Sequence, residues 1–160
     1  MIKHSRVIAL ALSGLLGSSM AAGQSTTEMT ANNQVLQAIQ TMTQAFQQKN
    51  INGVLNSYEK GAAVMFEPGQ AISDPVIIKQ MFEGAFQINP KFNYPNGHEV
   101  YIANDIALHI APWVMTGQAP DGSIIKQEGL SVAVLRKQTN GEWHMILDNP
   151  HGQHLLSIEK

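Results

Sequence analysis

Between residues 31 and 48, Val35, Ile39, Met42 and Phe46 recur at three- and four-residue spacing with Gln and Thr between them. That is the single apolar stripe of an amphipathic helix. Lys49-Asn50 breaks it, and Asn50 is placed to cap a second, short helix through Val54, Leu55 and Tyr58 that Gly61 ends. The pattern then shortens. Ala62–Phe66 reads as a strand closed by Glu67-Pro68-Gly69, with a lesser one at Ala71-Ile72. Asp74-Pro75 starts a third helix over 75–88: a capping carboxylate, then a residue whose missing N–H costs nothing in the first turn. It buries Ile77, Ile78, Met81, Phe82 and Ala85 before Asn89-Pro90 stops it. A strand from Phe92 to Ile102 follows, bulged at Pro95-Asn96-Gly97. From Asp105 to Gly152, three alternating apolar runs are separated by Ala119-Pro120-Asp121-Gly122 and by Gln138–Glu142. Asp-Gly and Asn-Gly in such positions are the strongest short-range hairpin signals. The result is an antiparallel meander with Trp113 on its first strand and Trp143 on its last.

A curved sheet of this kind cannot bury its inner face alone, so the helices must cover it. The predicted fold class is α+β, a cone-shaped curved antiparallel sheet packed against three helices. The mouth of the cone is the natural place for a ligand. At 160 residues, 44% of them hydrophobic and 14% charged, the chain is long enough for one domain with its own core. A net charge of -2 gives no reason to expect nucleic acid or an anionic membrane as partner. With no cysteine, disulfides, thiolate metal sites and cysteine nucleophiles are excluded.

The first residues change the picture. Lys3, His4 and Arg6 precede the apolar run Val7–Leu16, and small residues follow at Ser18, Ser19, Ala21, Ala22 and Gly23. This is the layout of a secretory signal peptide, with an apolar run too short to span a bilayer comfortably. Cleavage after Ala21, Ala22 or Gly23 fits the pattern. The expected organisation is a signal peptide over 1–22, a flexible segment over 23–30 and one domain over 31–160, in the periplasm or secreted. Removing the leader takes two basic residues and no acidic one, moving the charge from -2 to -4.

Three groups of residues carry a resemblance that spans about residues 31–152. One is the helix break Lys49–Gly53, leading to Leu55 and Tyr58 ahead of Ala62-Ala63-Val64. Another is Glu67-Pro68-Gly69 with Ile72 before the third helix. The last comprises Asp121-Gly122, Val132–Arg136 and Gly141-Glu142-Trp143 through Asp148. In their order and spacing they resemble the nuclear transport factor two-like superfamily, in its SnoaL-like and ketosteroid-isomerase-like branch. The resemblance implies a cone-shaped fold, a pocket that is catalytic or merely binding, and frequent dimerisation through the sheet. No cofactor is expected. Ketosteroid isomerase uses a tyrosine and a protonated aspartic acid as oxyanion donors and a second aspartate as base. By spacing, the tyrosine position falls on Met42 and the base on Phe66, or on Glu67 if the strand is shifted by one residue. The aspartic acid falls near Ser131. Methionine cannot donate a hydrogen bond and phenylalanine cannot take a proton, so steroid isomerisation is not expected.

Other residues offer chemistry. His109, Ala111, Trp113 and Met115 share a face by alternation unless Pro112 bulges the strand. If that face points into the cone, His109 exchanges a proton there and Trp113 forms a flat wall. Otherwise Trp113 is plain core and His109 sits hydrogen-bonded at the rim. Asp148, on the face of His144 and Ile146 by alternation, either orients a pocket histidine as an acid/base partner or begins the turn Asp-Asn-Pro. His109 and Asp148 are thus the catalytic candidates, with Tyr58, Phe66, Phe82, Trp113 and Met115 the ligand-lining ones. His144, His151 and His154 match no standard metal spacing, so no metal is expected. Glu128, between solvated neighbours, reads as a surface charge. Three functions compete: binding of a small apolar molecule, acid/base chemistry on a small carbonyl compound, and homodimeric docking through the sheet.

Overall fold

The computed structural model describes residues 29–156. The signal peptide expected over 1–22 and most of the segment over 23–30 lie outside the described residues. Helix α1 (Ala31–Gln47) begins at Thr30, whose hydroxyl accepts from the Asn33 N–H. Its stripe is buried at Val35, Ile39 and Phe46. Lys49, at φ 58°, turns the chain out of α1. Asn50 then accepts from the Gly53 N–H to start α2 (Ile51–Leu55). The short helix stops there. Tyr58 is the first residue of strand β1 (Tyr58–Glu67), and Gly61, at φ 84°, lies inside that strand instead of ending a helix. The register of β1 against its neighbour shifts between Tyr58 and Ala63, the irregularity that a glycine at positive φ accommodates.

After β2 (Gln70–Ile72), helix α3 (Pro75–Ala85) starts as predicted, with Asp74 accepting from the Val76 and Ile77 N–H groups at 2.8 and 3.2 Å. It is shorter than the expected 75–88, because Phe86–Ile88 tighten into a 3-10 turn that Asn89 ends in the left-handed conformation. Its buried stripe is Ile78 and Phe82. Ile77 and Met81 lie one step around the helix and are exposed, which corrects their assignment to the core.

The single strand expected over 92–102 is two strands. β3 (Lys91–Asn93) pairs with residues 114–116 of the later strand β5 (Ile106–Gln118), and β4 (Glu99–Ala103) pairs with its residues 106–110. Between them the Gly97 N–H donates to the Tyr94 carbonyl in a turn through Pro95. The meander is present as β5 (Ile106–Gln118), β6 (Ile124–Lys137) and β7 (Trp143–Asn149). Both hairpins close with an i to i+3 bond onto a glycine, Gly122 to Ala119 and Gly141 to Gln138. Pro112 causes no bulge: β5 and β6 stay in register from Ile106↔Arg136 to Gln118↔Ile124.

The fold is α+β, one curved, unclosed sheet in the order β2-β1-β7-β6-β5-β3 with β4 also on β5, and helices against its inner face. The sheet is antiparallel except where β1 pairs parallel with β7, which joins the earliest long strand to the latest. Two apolar clusters fill the inside. Val35 and Ile39 of α1 pack on Ala107, Ala133, Leu135, Trp143 and Met145 at one end. Phe46, Val54, Val64, Ile78, Phe82 and Phe86 gather at the other. No helix among the described residues is long and apolar enough to cross a membrane.

Candidate functional site

The second cluster does not close. A cavity of about 210 Å³ remains there. For scale, an apolar cavity of about 150 Å³ holds a benzene. Helix α1 contributes Ile39, Met42, Thr43 and Phe46, and α3 contributes Phe82 and Ala85. Val64, Met65 and Phe66 come from β1, and Phe92 and Tyr94 from β3 and the turn after it. The sheet floor is Trp113, Gln127, Ser131, Met145 and Asp148, with Pro150 and His151 beyond it.

Trp113 is held flat on the floor. Its indole N–H donates to the Pro150 carbonyl at 3.0 Å. It lies across Gly129 of the next strand, where a Cβ would come within 2.6 Å of the ring. Aromatic rings continue from it around the wall. Trp113 meets Phe92 at 5.6 Å between centroids, Phe92 meets Phe46 at 5.7 Å, Phe46 meets Phe82 at 5.6 Å, and Phe82 meets Phe66 at 5.0 Å. All four contacts are edge-to-face pairs, the arrangement that ring quadrupoles favour.

Asp148 is the carboxylate of this cavity. It faces inward with Met145 and Trp143, not with His144 and Ile146 as alternation along the strand predicts. The reason is a bulge: Leu135 pairs with Met145 and Val134 with Leu147, leaving Ile146 as an extra residue that reverses the phase. The Tyr58 hydroxyl donates to Asp148 Oδ2 at 2.6 Å. Burial raises the Asp148 carboxyl above its ordinary range, opposed by that hydrogen bond and by nearby His151. Burial, with Asp148 beside it, likewise raises the Tyr58 phenol well above its usual value. Tyr94 is raised mainly by burial, and its hydroxyl shares a hydrogen bond of 3.2 Å with Thr43. His151 is anchored at 3.0 Å to the Phe66 carbonyl.

Of the residues singled out in the sequence, Asp148, Phe66, Phe82 and Trp113 line the cavity, and Tyr58 reaches it through Asp148. Met115 is buried on the same sheet face but is not part of the lining. His109 is not part of it either. It is 1% exposed, and its Nε2 lies 2.9 Å from His98 Nδ1. Ala133 of β6 pairs with His109 on one side and with Asp148 on the other. The two therefore occupy one row of the sheet, separated by a strand and about 10 Å, beyond hydrogen-bond reach. Burial first, and His98 second, lower the His109 pKa to about 4. Met42, Phe66 and Ser131, which stand at the isomerase's catalytic positions by spacing, all line the cavity without the isomerase's chemistry.

Tyr94, Gln127, His98 and the pocket role of His151 were not legible beforehand. Tyr94 and His98 flank a turn that reads as a bulge, and His151 invites only a metal reading. His144 instead pairs with Glu142 at 3.5 Å. Among the described residues no set of three or more His, Asp or Glu side chains gathers as metal ligands. Glu128 is exposed.

No protein-family model and no curated protein matches this sequence. Solved structures match in fold. A Xanthomonas campestris protein provisionally described as a calcium/calmodulin-dependent protein kinase II association domain aligns with TM-score 0.67 at 18% identity, over 78% of this chain and 88% of that one. A ketosteroid isomerase-like protein from Erwinia carotovora atroseptica aligns with TM-score 0.61 at 18% identity, over 72% and 91%. The association domain of the C. elegans kinase aligns with TM-score 0.60 at 18% identity, over 73% and 92%. The fold is that of the nuclear transport factor two-like superfamily.

Proposed function

We propose that this chain is an exported, SnoaL-like binding protein that holds a small, mainly apolar molecule in the cavity, its polar end at Asp148. The observation that carries this reading is an aromatic-walled space of about 210 Å³ with a single carboxylate among its lining residues. Such a concave apolar site with few polar groups is what small-ligand recognition requires. Export rests on the three-part leader pattern of the sequence. A homodimer through the sheet is supported by its outer face, where Leu108, Ile110, Val132 and Val134 stand together and only half-buried. Two of the solved relatives are described as association domains, which agrees with that arrangement.

Native mass spectrometry of protein purified from its own host tests the reading, with Ser131→Leu as the partner variant. Ser131 lines the cavity, so leucine there fills it. A small-molecule mass retained by the wild type and lost in the variant is the expected result. Retention of the same mass by the filled variant would place the ligand elsewhere and sink the proposal.

A second reading, acid/base chemistry on a small carbonyl compound, is favoured by one observation: the raised Asp148 carboxyl with the Tyr58 hydroxyl on it. It needs Asp148 as proton carrier without His109, which is a strand away. Turnover of a bound carbonyl compound that Asp148→Asn abolishes without loss of binding would replace the binding reading with this one.

A further inference from the structure

The cavity's chemistry narrows the kind of molecule it takes. Among the described residues no lysine or arginine lines it, and Asp148 is its carboxylate. Tyr58 supplies the side-chain hydrogen bond that Asp148 receives, and it does so at Oδ2. A carboxyl group has acceptor capacity beyond one such bond. Around it stand the faces and edges of Phe46, Phe66, Phe82, Phe92 and Trp113. Aromatic faces carry negative potential and attract cations held over them, whereas an anion beside Asp148 meets the repulsion of its carboxylate.

We infer that the ligand is a small organic cation, an amine or quaternary ammonium on an apolar body, with its nitrogen between Asp148 and the aromatic wall. This rests on the cavity being a ligand site, as proposed above, and it names the chemical class. A neutral carbonyl compound would instead need Asp148 in its protonated, donating form. The two classes respond to pH with opposite sign. Cation binding favours the ionised carboxylate, so affinity falls as pH falls and Asp148 takes up its proton. The titratable groups facing Asp148 are Tyr58, Tyr94 and His151. The phenols stay neutral across that range because both are raised. His151 faces the same carboxyl, and any positive charge on it opposes a bound cation.

The test is titration of the purified protein with phenyltrimethylammonium and with its neutral isostere tert-butylbenzene, read by tryptophan fluorescence and calorimetry. At neutral and higher pH the cation should bind about tenfold more tightly than the isostere, and the preference should shrink as pH falls and Asp148 takes up its proton. Asp148→Asn should bring the two probes to similar affinity by weakening only the cation. Equal affinity in the wild type, tighter binding of the isostere, or a preference that survives Asp148→Asn would overturn the inference. Should that variant not fold, the wild-type pH series decides by itself, since a preference constant with pH also overturns it. Binding of the isostere alone leaves the ligand site standing and removes the cation. Binding of neither probe removes both.

Discussion

Two titratable groups, His109 buried and Asp148 half-buried, sit in one row of the sheet and meet different fates. At one end His109 is enclosed by a filled core and touches His98. At the other Asp148 borders open space and receives a tyrosine hydroxyl. Burial moves both towards their neutral forms, lowering the histidine and raising the carboxyl. Only Asp148 has room beside it for a ligand. The lesson is that burial perturbs a group wherever it occurs, while a site also needs a hollow. Leu135 and Val35 fill the His109 end, and both are 0% exposed. The rings at the Asp148 end pack on one another and leave the cavity open.

The sharpest way to break this contrast is to open the filled end. Leu135→Ala should cost about 2–5 kcal/mol, the loss of a leucine from a packed core, measured by urea unfolding. A loss under about 1 kcal/mol would mean that the end is not tightly filled. The next effect comes from His109. With its folded pKa at about 4, below the ordinary 6.5, the neutral ring contributes stability above 6.5 that is lost as pH falls through 4. The loss approaches about 3 kcal/mol. His109→Leu should remove this component, so unfolding midpoints compared between about pH 7 and pH 4 should change less in the variant than in the wild type. The smallest effect has the opposite sign. A raised carboxyl contributes stability at low pH that is lost as pH rises through its folded pKa. Asp148→Asn keeps an acceptor for Tyr58 and carries no charge. It should therefore melt somewhat above the wild type at neutral pH, with the gap closing as pH falls towards about 4. A variant less stable than the wild type at neutral pH would show that the carboxylate is better accommodated than burial implies.

Much of the frame was legible because it depends on short-range chemistry. Asn50 and Asp74 cap helices by bonds to residues two or three positions on, and the two Gly-containing turns set the hairpins. The floor of the site was legible in part. Trp113 follows from alternation because the register of β5 is unbroken. Asp148 does not: the extra residue at Ile146 reverses the phase, and nothing in a strand of Trp, His, Met, Ile and Leu announces it. The pairing of His109 with Asp148 failed for a related reason. Alternation assigns a face, but only the strand order sets lateral distance, and β6 lies between them. Tyr94 was hidden by a turn that resembles a bulge.

The parallel union of β1 with β7 has a consequence for how the molecule comes into being. Tyr58 and Asp148 are 90 positions apart, so a chain emerging from the ribosome carries the phenol long before its acceptor exists. Long-range strand pairings of this sort form late, after the local hairpins. The hollow is consequently among the last features to be completed. A small molecule that occupies it can lock the finished architecture but cannot nucleate it, and should slow unfolding more than it speeds refolding.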